Sequence, residues 1–436
     1  MNFLEFLNES VTPYHTVESL KRILNPENAG LKLFERGGAL IAVRFPQKAS
    51  EKSKFRIALA HTDYPTLKIT PNPDREAAGV RTLHPEIYGS PLFTSWLDRD
   101  LGYAGLLAYE LDGSVQTRLI RGKRLFRIPQ LAVHLNRGVN QDGLKVNPQM
   151  DLNILWTAVG GKERFVEALQ TELPANARLL DFDIQLFDAQ PAQYGGFENE
   201  WLYSGRLDNL SSCHAIADAF STAKPLEHDF QVAAFFNNEE VGSTTREGAA
   251  SNFLKSVLDS IVSFGYSRMT CHPGPWSEAM GDRVQEPASV QNFSSLVCSE
   301  FASVLSSSLA LSIDMAHACH PNFTDKHEPN HAPILGGGVV LKINSQKRYA
   351  SDVFSCAQFK LLCEQNNIPY QTFIMRNDMP CGSTVGPAVS ASLGIPTVDI
   401  GEPMLSMHSI REMTAIRDHE SITRLVSAFF GQKSLA

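Results

Sequence analysis

The stretches RIALAHTD at 56–63, QVAAFFNNEE at 231–240 and LALSID at 309–314 decide how this chain folds. Each is a short, mostly apolar run that stops abruptly at histidine or carboxylate side chains. A fourth run, IPTVDI at 395–400, leads through a glycine loop toward His408. Short apolar runs of this kind read as strands buried on both faces. Helical patterns lie between them, as at 210–220 and 249–262. Strands alternating with helices predict an α/β fold, with a central, largely parallel (mixed) β-sheet flanked by helices. In such sheets ligands bind beyond the carboxyl ends of the strands, which is where these ionisable residues fall.

The segment 93–199 has a different character. It supplies few strand-end acids, carries the basic cluster Arg121-Gly122-Lys123-Arg124, and contains β-like runs such as IPQLAVHL at 128–135. It reads as an inserted β-rich module, leaving 1–92 plus 200–436 as the main, discontinuous domain. The Pro/Gly-rich segment 271–292 reads as a variable loop, and Gly336-Gly337-Gly338 as a turn before a strand rather than a phosphate-binding loop.

Composition narrows the function. The chain has 436 residues, a net charge of −8, 43% hydrophobic and 20% charged residues. That balance suits a globular enzyme and offers nothing to a nucleic-acid backbone. The opening MNFLEFLNES lacks a basic n-region and is spaced for a short amphipathic helix, not a signal peptide. No apolar stretch reaches the roughly 18 residues that would span a bilayer, so no membrane association is expected. Seven cysteines, all between Cys213 and Cys381 and none in a CxxC pair, suit free thiols in a reducing compartment, hence the cytoplasm.

The chemistry concentrates in His61-x-Asp63, Asp208, Glu239-Glu240, Asp314 and His408. A mixed histidine and carboxylate set favours zinc, manganese or cobalt over calcium, which prefers oxygen alone. Two divalent ions about 3.5–4 Å apart need a shared carboxylate and outer ligands on each side. Two histidines and three carboxylates fill that role and leave one glutamate over. Neighbouring side chains at a strand end diverge, so Glu239 and Glu240 do not readily serve one ion; one binds while the other handles a water proton. In extended backbone His61 and Asp63 face the same way, so Asp63 is expected to accept the second ring N–H of His61. Taken singly, each signal has a plain structural reading, such as a helix cap for Asp314. A nucleophilic Cys381 with His408 as its base is a rival, but it lacks a Gly-x-Ser-x-Gly elbow and leaves the acids unused. A two-metal deacylase or carboxypeptidase and a non-catalytic shell also remain open on residue chemistry alone.

The sequence resembles the M18 family of metallopeptidases, the aspartyl aminopeptidase family. The resemblance rests on AHTDYPTLKI (60–69), SWLDRDLGYAG (95–105), IPQLAVHLNR (128–137), GRLDNLSSCHA (205–215), NNEEVGS (237–243), DMAHACHPN (314–322), DKHEPNH (325–331), LKINSQKRYASD (341–352), NDMPCGSTVGP (377–387) and LSMHSIREM (405–413). It implies a dinuclear zinc aminopeptidase acting on peptides with a free N-terminus, preferring Asp or Glu there. Asp208 would be the bridging ligand, with His61 and Asp314 on one ion and Glu240 and His408 on the other. Glu239 would be the general base, and His134, His317, Lys342 and Tyr349 would contact substrate. Lys342 would pair with an acidic side chain. The resemblance further implies that 93–199 is a dimerisation domain, that His134 reaches a neighbouring subunit's site, and that dimers build a dodecamer. Leu97, and the asparagines Asn237 and Asn238 before the glutamate pair, depart from the family pattern.

Overall fold

The computed structural model describes residues 1–25, 30–49, 53–158, 161, 163–269 and 302–432. The expected variable loop at 271–292 lies outside the described residues.

The central sheet has eight strands. In spatial order they are Leu31–Arg36, Ala39–Arg44, Phe230–Phe236, Phe55–His61, Leu309–Ile313, Thr397–Gly401, Val339–Lys342 and Tyr370–Phe373. The four strands from Phe230–Phe236 to Thr397–Gly401 run parallel to one another. The first two strands and Val339–Lys342 enter antiparallel, so the sheet is mixed with a parallel centre. Every residue of Phe55–His61, Phe230–Phe236 and Leu309–Ile313 is buried. Helices cover both faces, so a strand at the centre has no polar side to offer.

The covering helices follow from local sequence. Thr12 caps Pro13–Leu24 through the amide of His15, with Pro13 in the first turn where its missing N–H costs nothing. The last helix, Ile416–Gly431, buries Ile422, Leu425, Val426, Phe429 and Phe430, a single apolar stripe at helical spacing. The helix Leu207–Thr222 is buried along nearly its whole length between this helix and the sheet. The expected helix at 249–262 is present but starts later, at Phe253.

A second, six-stranded sheet is antiparallel throughout, in the order Ser114–Arg121, Leu101–Leu111, Arg178–Asp188, Thr66–Ala77, Val80–Tyr88 and Ile154–Thr157. Two of its strands precede residue 93, so this sheet is not confined to the expected 93–199 interval. Within that interval, Gln193–Gly195 joins a different, five-stranded sheet with Trp201–Ser204 and three later strands. The β-like run at 128–135 is not a strand. Its backbone is irregular, and Leu131, Val133 and Leu135 are exposed; alternation without a neighbouring strand leaves the ladder unmade. The glycine run behaves as expected, with Gly336 and Gly338 at positive φ immediately before Val339–Lys342.

Candidate metal centre

Parallel strands bring their carboxyl ends to one edge, and the site is built there. His61 is the last residue of its strand, Asp314 follows Ile313 directly, and Glu239 and Glu240 occupy a short turn just after Phe236. Asp208 stands at the start of the helix Leu207–Thr222, out of helical geometry and joined to Asn209 by a cis peptide bond. His408 sits in the turn between the strands Pro403–Leu405 and Glu412–Ala415. Residues separated by hundreds of positions therefore meet at a single point.

Two ligand triads share one carboxylate. Atoms of His61, Asp208 and Asp314 lie within 4.8 Å of one another, as do those of Asp208, Glu240 and His408. His61, Glu239 and Glu240 satisfy the same criterion. The imidazoles are oriented for the task. His61 Nδ1–H donates to the Asp63 backbone oxygen at 3.1 Å, leaving Nε2 3.5 Å from both Asp208 Oδ1 and Asp314 Oδ1. His408 Nδ1–H donates to the Ser90 carbonyl at 3.1 Å, leaving Nε2 3.6 Å from Asp208 Oδ2 and 3.5 Å from Glu240 Oε2. A carbonyl partner on one ring nitrogen leaves the other with a lone pair to give to a cation. Asp208 Oδ1 is buried with no hydrogen-bond partner among the described residues, which is costly for an anionic oxygen unless a cation satisfies it. The donor set, the shared carboxylate and the orphaned oxygen fit a pair of divalent ions.

The electrostatics carry the same message. Burial alone would lower the His61 pKa, but contacts with Asp208, Asp314 and Asp63 overcome it and hold it well above the ordinary value. His408 behaves alike, resisted by burial but pushed up to about 10 by Asp208 and Glu240. Burial, then repulsion from Asp314, Asp63 and Asp208, pushes Glu239 up to about 8. Glu240 is raised by burial and by Asp208. The cluster holds more negative charge than its two imidazoles can balance.

Asp63 does more than steer His61. Its Oδ1 lies 3.3 Å from His61 Nδ1, farther than its own backbone oxygen. The carboxylate accepts the Glu239 amide at 3.1 Å and the Glu240 amide at 3.2 Å, so it grips the turn that carries both glutamates. The Tyr88 hydroxyl donates to it at 2.7 Å. On the other side, buried Glu412 accepts the amides of His408 at 2.8 Å and Asp208 at 3.2 Å. Neither Tyr88 nor Glu412 stood out in the sequence. A tyrosine ending one strand and a glutamate opening another carry no local signal; only their long-range contacts do.

The four expected substrate contacts divide. Lys342 is 2% exposed, with Nζ 3.7 Å from Asp314 Oδ2 and 5.5 Å from the Tyr349 ring centre. Although its strand is antiparallel to Thr397–Gly401, its long side chain reaches back to the ligand cluster. His317 is half-buried, with its pKa lowered to about 4 by burial and by Lys342. It lines a cavity of about 230 Å³ together with Phe373, Met375, Met379, Met404 and Met407. His134, by contrast, is exposed on the irregular 131–135 segment and belongs to neither triad. Cys381 lies against Tyr349, and His408 Nε2 faces carboxylates, so the cysteine-nucleophile reading loses its base. The described cysteines are free thiols. Among the described residues no helix is long and apolar enough to cross a membrane.

Comparison with known proteins gives a consistent result. The sequence profile of the aminopeptidase I zinc metalloproteases (M18) matches residues 6–273 and 287–430. A probable M18 family aminopeptidase 2 from Streptomyces avermitilis is 39% identical, the alignment covering 98% of this chain and 96% of that one. The cryo-EM structure of the Ape4 and Nbr1 complex contains a chain that superposes with a TM-score of 0.85 at 31% identity, over 98% of this chain and 84% of that one. A structure of the S. cerevisiae mApe1 dodecamer superposes with a TM-score of 0.76 at 25% identity, over 98% and 95% of the two chains.

Proposed function

The chain belongs to the M18 family of zinc metalloproteases, the aminopeptidase I family, and we propose that it is a dinuclear enzyme that removes N-terminal residues, Asp and Glu by preference, with Glu239 as general base. The observation that carries the dinuclear reading is the Asp208 carboxylate, common to two ligand triads and orphaned at Oδ1. In this reading His61, Asp208 and Asp314 hold one ion, and Asp208, Glu240 and His408 hold the other. When bound, two divalent ions, most naturally zinc with cobalt or manganese as substitutes, lower the pKa of water and polarise a peptide carbonyl.

Glu239 is the carboxylate left over. Its turn is held by Asp63, and it stands beside His61 within the cluster. It takes the water proton and returns it to the departing amine, a role suited to a carboxylate that stands in the cluster without being needed as a ligand. The free α-amino group of the substrate finds an anionic partner among the cluster's carboxylates, which favours an exopeptidase. His317 borders the cavity beside the site and is kept neutral, so it offers an N–H to the substrate carbonyl without a competing charge.

Lys342 supports the acidic preference, as a buried ammonium at the same site. Its 3.7 Å approach to Asp314 also favours a second reading, in which it balances a ligand and the side-chain preference is neutral or basic. His134, exposed in the β-rich region, suits a role in a neighbouring subunit's site, within a homo-oligomer assembled from dimers; the similar S. cerevisiae mApe1 is a dodecamer. The free thiols suit the cytoplasm.

The test is a panel of aminoacyl chromogenic substrates, Asp and Glu against Leu, Ala and Lys, before and after chelation and zinc return. The proposal expects chelator-sensitive cleavage, strongest for Asp or Glu and abolished by acylating the substrate's amine. Cleavage of N-acylated substrates would replace it with a deacylase. A preference for Lys or Leu would overturn the acidic specificity, and Lys342→Met lowering activity equally on all substrates would favour the second reading.

A further inference from the structure

Tyr88 ends the strand Val80–Tyr88 of the six-stranded sheet, outside the parallel strands that carry the candidate ligands. Its hydroxyl donates to Asp63 Oδ2 at 2.7 Å and accepts from Asn238 Nδ2 at 2.9 Å. Asp63 in turn accepts the backbone amides of Glu239 and Glu240. The ends of the turn are tied by the Ser243 amide on the Asn238 carbonyl and the Thr245 hydroxyl on Asn238 Oδ1, each at 2.8 Å, whereas Asp63 holds the two glutamate amides. The turn is a single short helical one entered through Asn238 at φ 64 and left through Gly242 at φ 97 and Ser243 at φ 59. Backbone in the left-handed region costs energy for residues other than glycine and persists only where neighbours hold it.

Tyr88 is itself held from behind. Lys68 Nζ lies 4.9 Å from its ring centre and 2.8 Å from Asp183 Oδ1, and Asp183 Oδ2 accepts the Tyr14 hydroxyl at 3.0 Å. Burial and the Asp63 charge raise the phenol's pKa, so it remains a donor. With its proton given to Asp63 and a lone pair to Asn238, the hydroxyl is engaged within the protein. That separates it from a group that works on substrate.

We propose that Tyr88 is a positioning residue for the reaction: it fixes the Asp63 carboxylate, which fixes Glu239 through its backbone amide. The proposal rests on the reading of Glu239 as general base. It makes the six-stranded sheet one wall of the catalytic geometry, because the chain Asp183–Lys68–Tyr88–Asp63 ends at the glutamate turn.

The experiment compares five zinc-loaded full-length proteins: native, Tyr88→Phe, Glu239→Gln, the double variant of these two, and Asn238→Gly. Phenylalanine keeps the ring under Lys68 and removes only the O–H. Loss of a hydrogen bond to a charged group predicts a fall in kcat of roughly 10- to 100-fold, with KM within about twofold; Asp63 Oδ2 also accepts the Glu240 amide, so zinc affinity falls by no more than that factor and the full zinc content is kept at saturating zinc. The double variant should be no slower than Glu239→Gln, because Tyr88 acts through that residue. Asn238→Gly, which tolerates the left-handed backbone but loses the donor, should lower kcat in the same direction by less. A Tyr88→Phe enzyme with kcat within about twofold of native, beside an inactive Glu239→Gln, overturns the proposal alone. Loss of zinc or a large rise in KM in Tyr88→Phe also overturns it, since that marks general loosening. Full activity in Glu239→Gln overturns the general-base reading itself.

Discussion

Glu412→Gln should weaken metal binding while leaving the metal-free protein as stable or more so at about pH 8.5 and above. Glu412 is 2% exposed and accepts one backbone amide on each oxygen, His408 at 2.8 Å and Asp208 at 3.2 Å. Two N–H donors, one per oxygen, are met best by the ionised carboxylate. Glutamine has nearly the same shape but can accept on only one side, and its NH₂ meets the other amide donor to donor. Losing one hydrogen bond to a charged group costs about 1.5–3 kcal/mol, and both affected amides belong to candidate ligands. Tenfold in affinity corresponds to about 1.4 kcal/mol, so the zinc affinity should fall roughly 10- to 100-fold. Without metal the sign reverses. Burial, then Asp208, pushes Glu412 up to about 8. A carboxyl raised above its ordinary 4.5 contributes stability below that pH and loses it as pH rises through about 8. The amide escapes this penalty, so at pH 8.5 and above the metal-free variant should unfold at equal or higher denaturant than the native chain. The assays are competition for zinc against a fluorescent chelator, and urea unfolding with chelator present. A zinc affinity within about twofold of native would refute the reasoning, because the hydrogen bonds to the two amides would then contribute nothing.

Three other outcomes are expected. Asp208→Asn should lose affinity at both sites, whereas His408→Ala should keep about one tightly held zinc per chain; metal analysis after gel filtration distinguishes them, and equal stoichiometry in the two variants would count against the shared carboxylate. Gly401→Ala should cut zinc content and activity together, because a Cβ there would run into the backbone oxygen of Asp314; wild-type zinc binding in that variant would contradict the geometry. The melting temperature of the chelated protein should fall between pH 6 and pH 9. His408, resisted by burial but pushed up by Asp208 and Glu240 to about 10, adds stability below its ordinary 6.5 that is lost as pH rises through about 10. Glu239, raised to about 8 by burial, acts with the same sign. Zinc should therefore raise the melting temperature more at pH 9 than at pH 6, and a chelated protein that gains stability over this interval would contradict the assignment.

Much of the centre was legible along the chain. A strand covered on both faces must be apolar throughout, so 56–60, 231–236 and 309–313 declared themselves, and the first ionisable residues beyond them were His61, Glu239-Glu240 and Asp314. The spare glutamate followed from donor counting. Other features failed to register for the same physical reason in reverse. The run at 128–135 has strand-like alternation but no neighbour to pair with, and its apolar residues end up exposed. The six-stranded sheet takes Thr66–Ala77 and Val80–Tyr88 from before the expected boundary, because pairing partners are chosen in space.

Residue types and periodicity determined by themselves the α/β class, the parallel centre of the sheet and a histidine and carboxylate donor set, since burial and ligand chemistry are local properties of side chains. The resemblance already implied Asp208 as the bridge, and the structure sets it in both triads; only the tertiary structure decided that the Asp63 carboxylate grips the Glu239-Glu240 turn, and that Tyr88 and Glu412 stand behind opposite sides of the centre. These depend on approaches to within about 3 Å between residues far apart in the chain, a distance set by strand register and helix packing and carried by no single stretch of sequence.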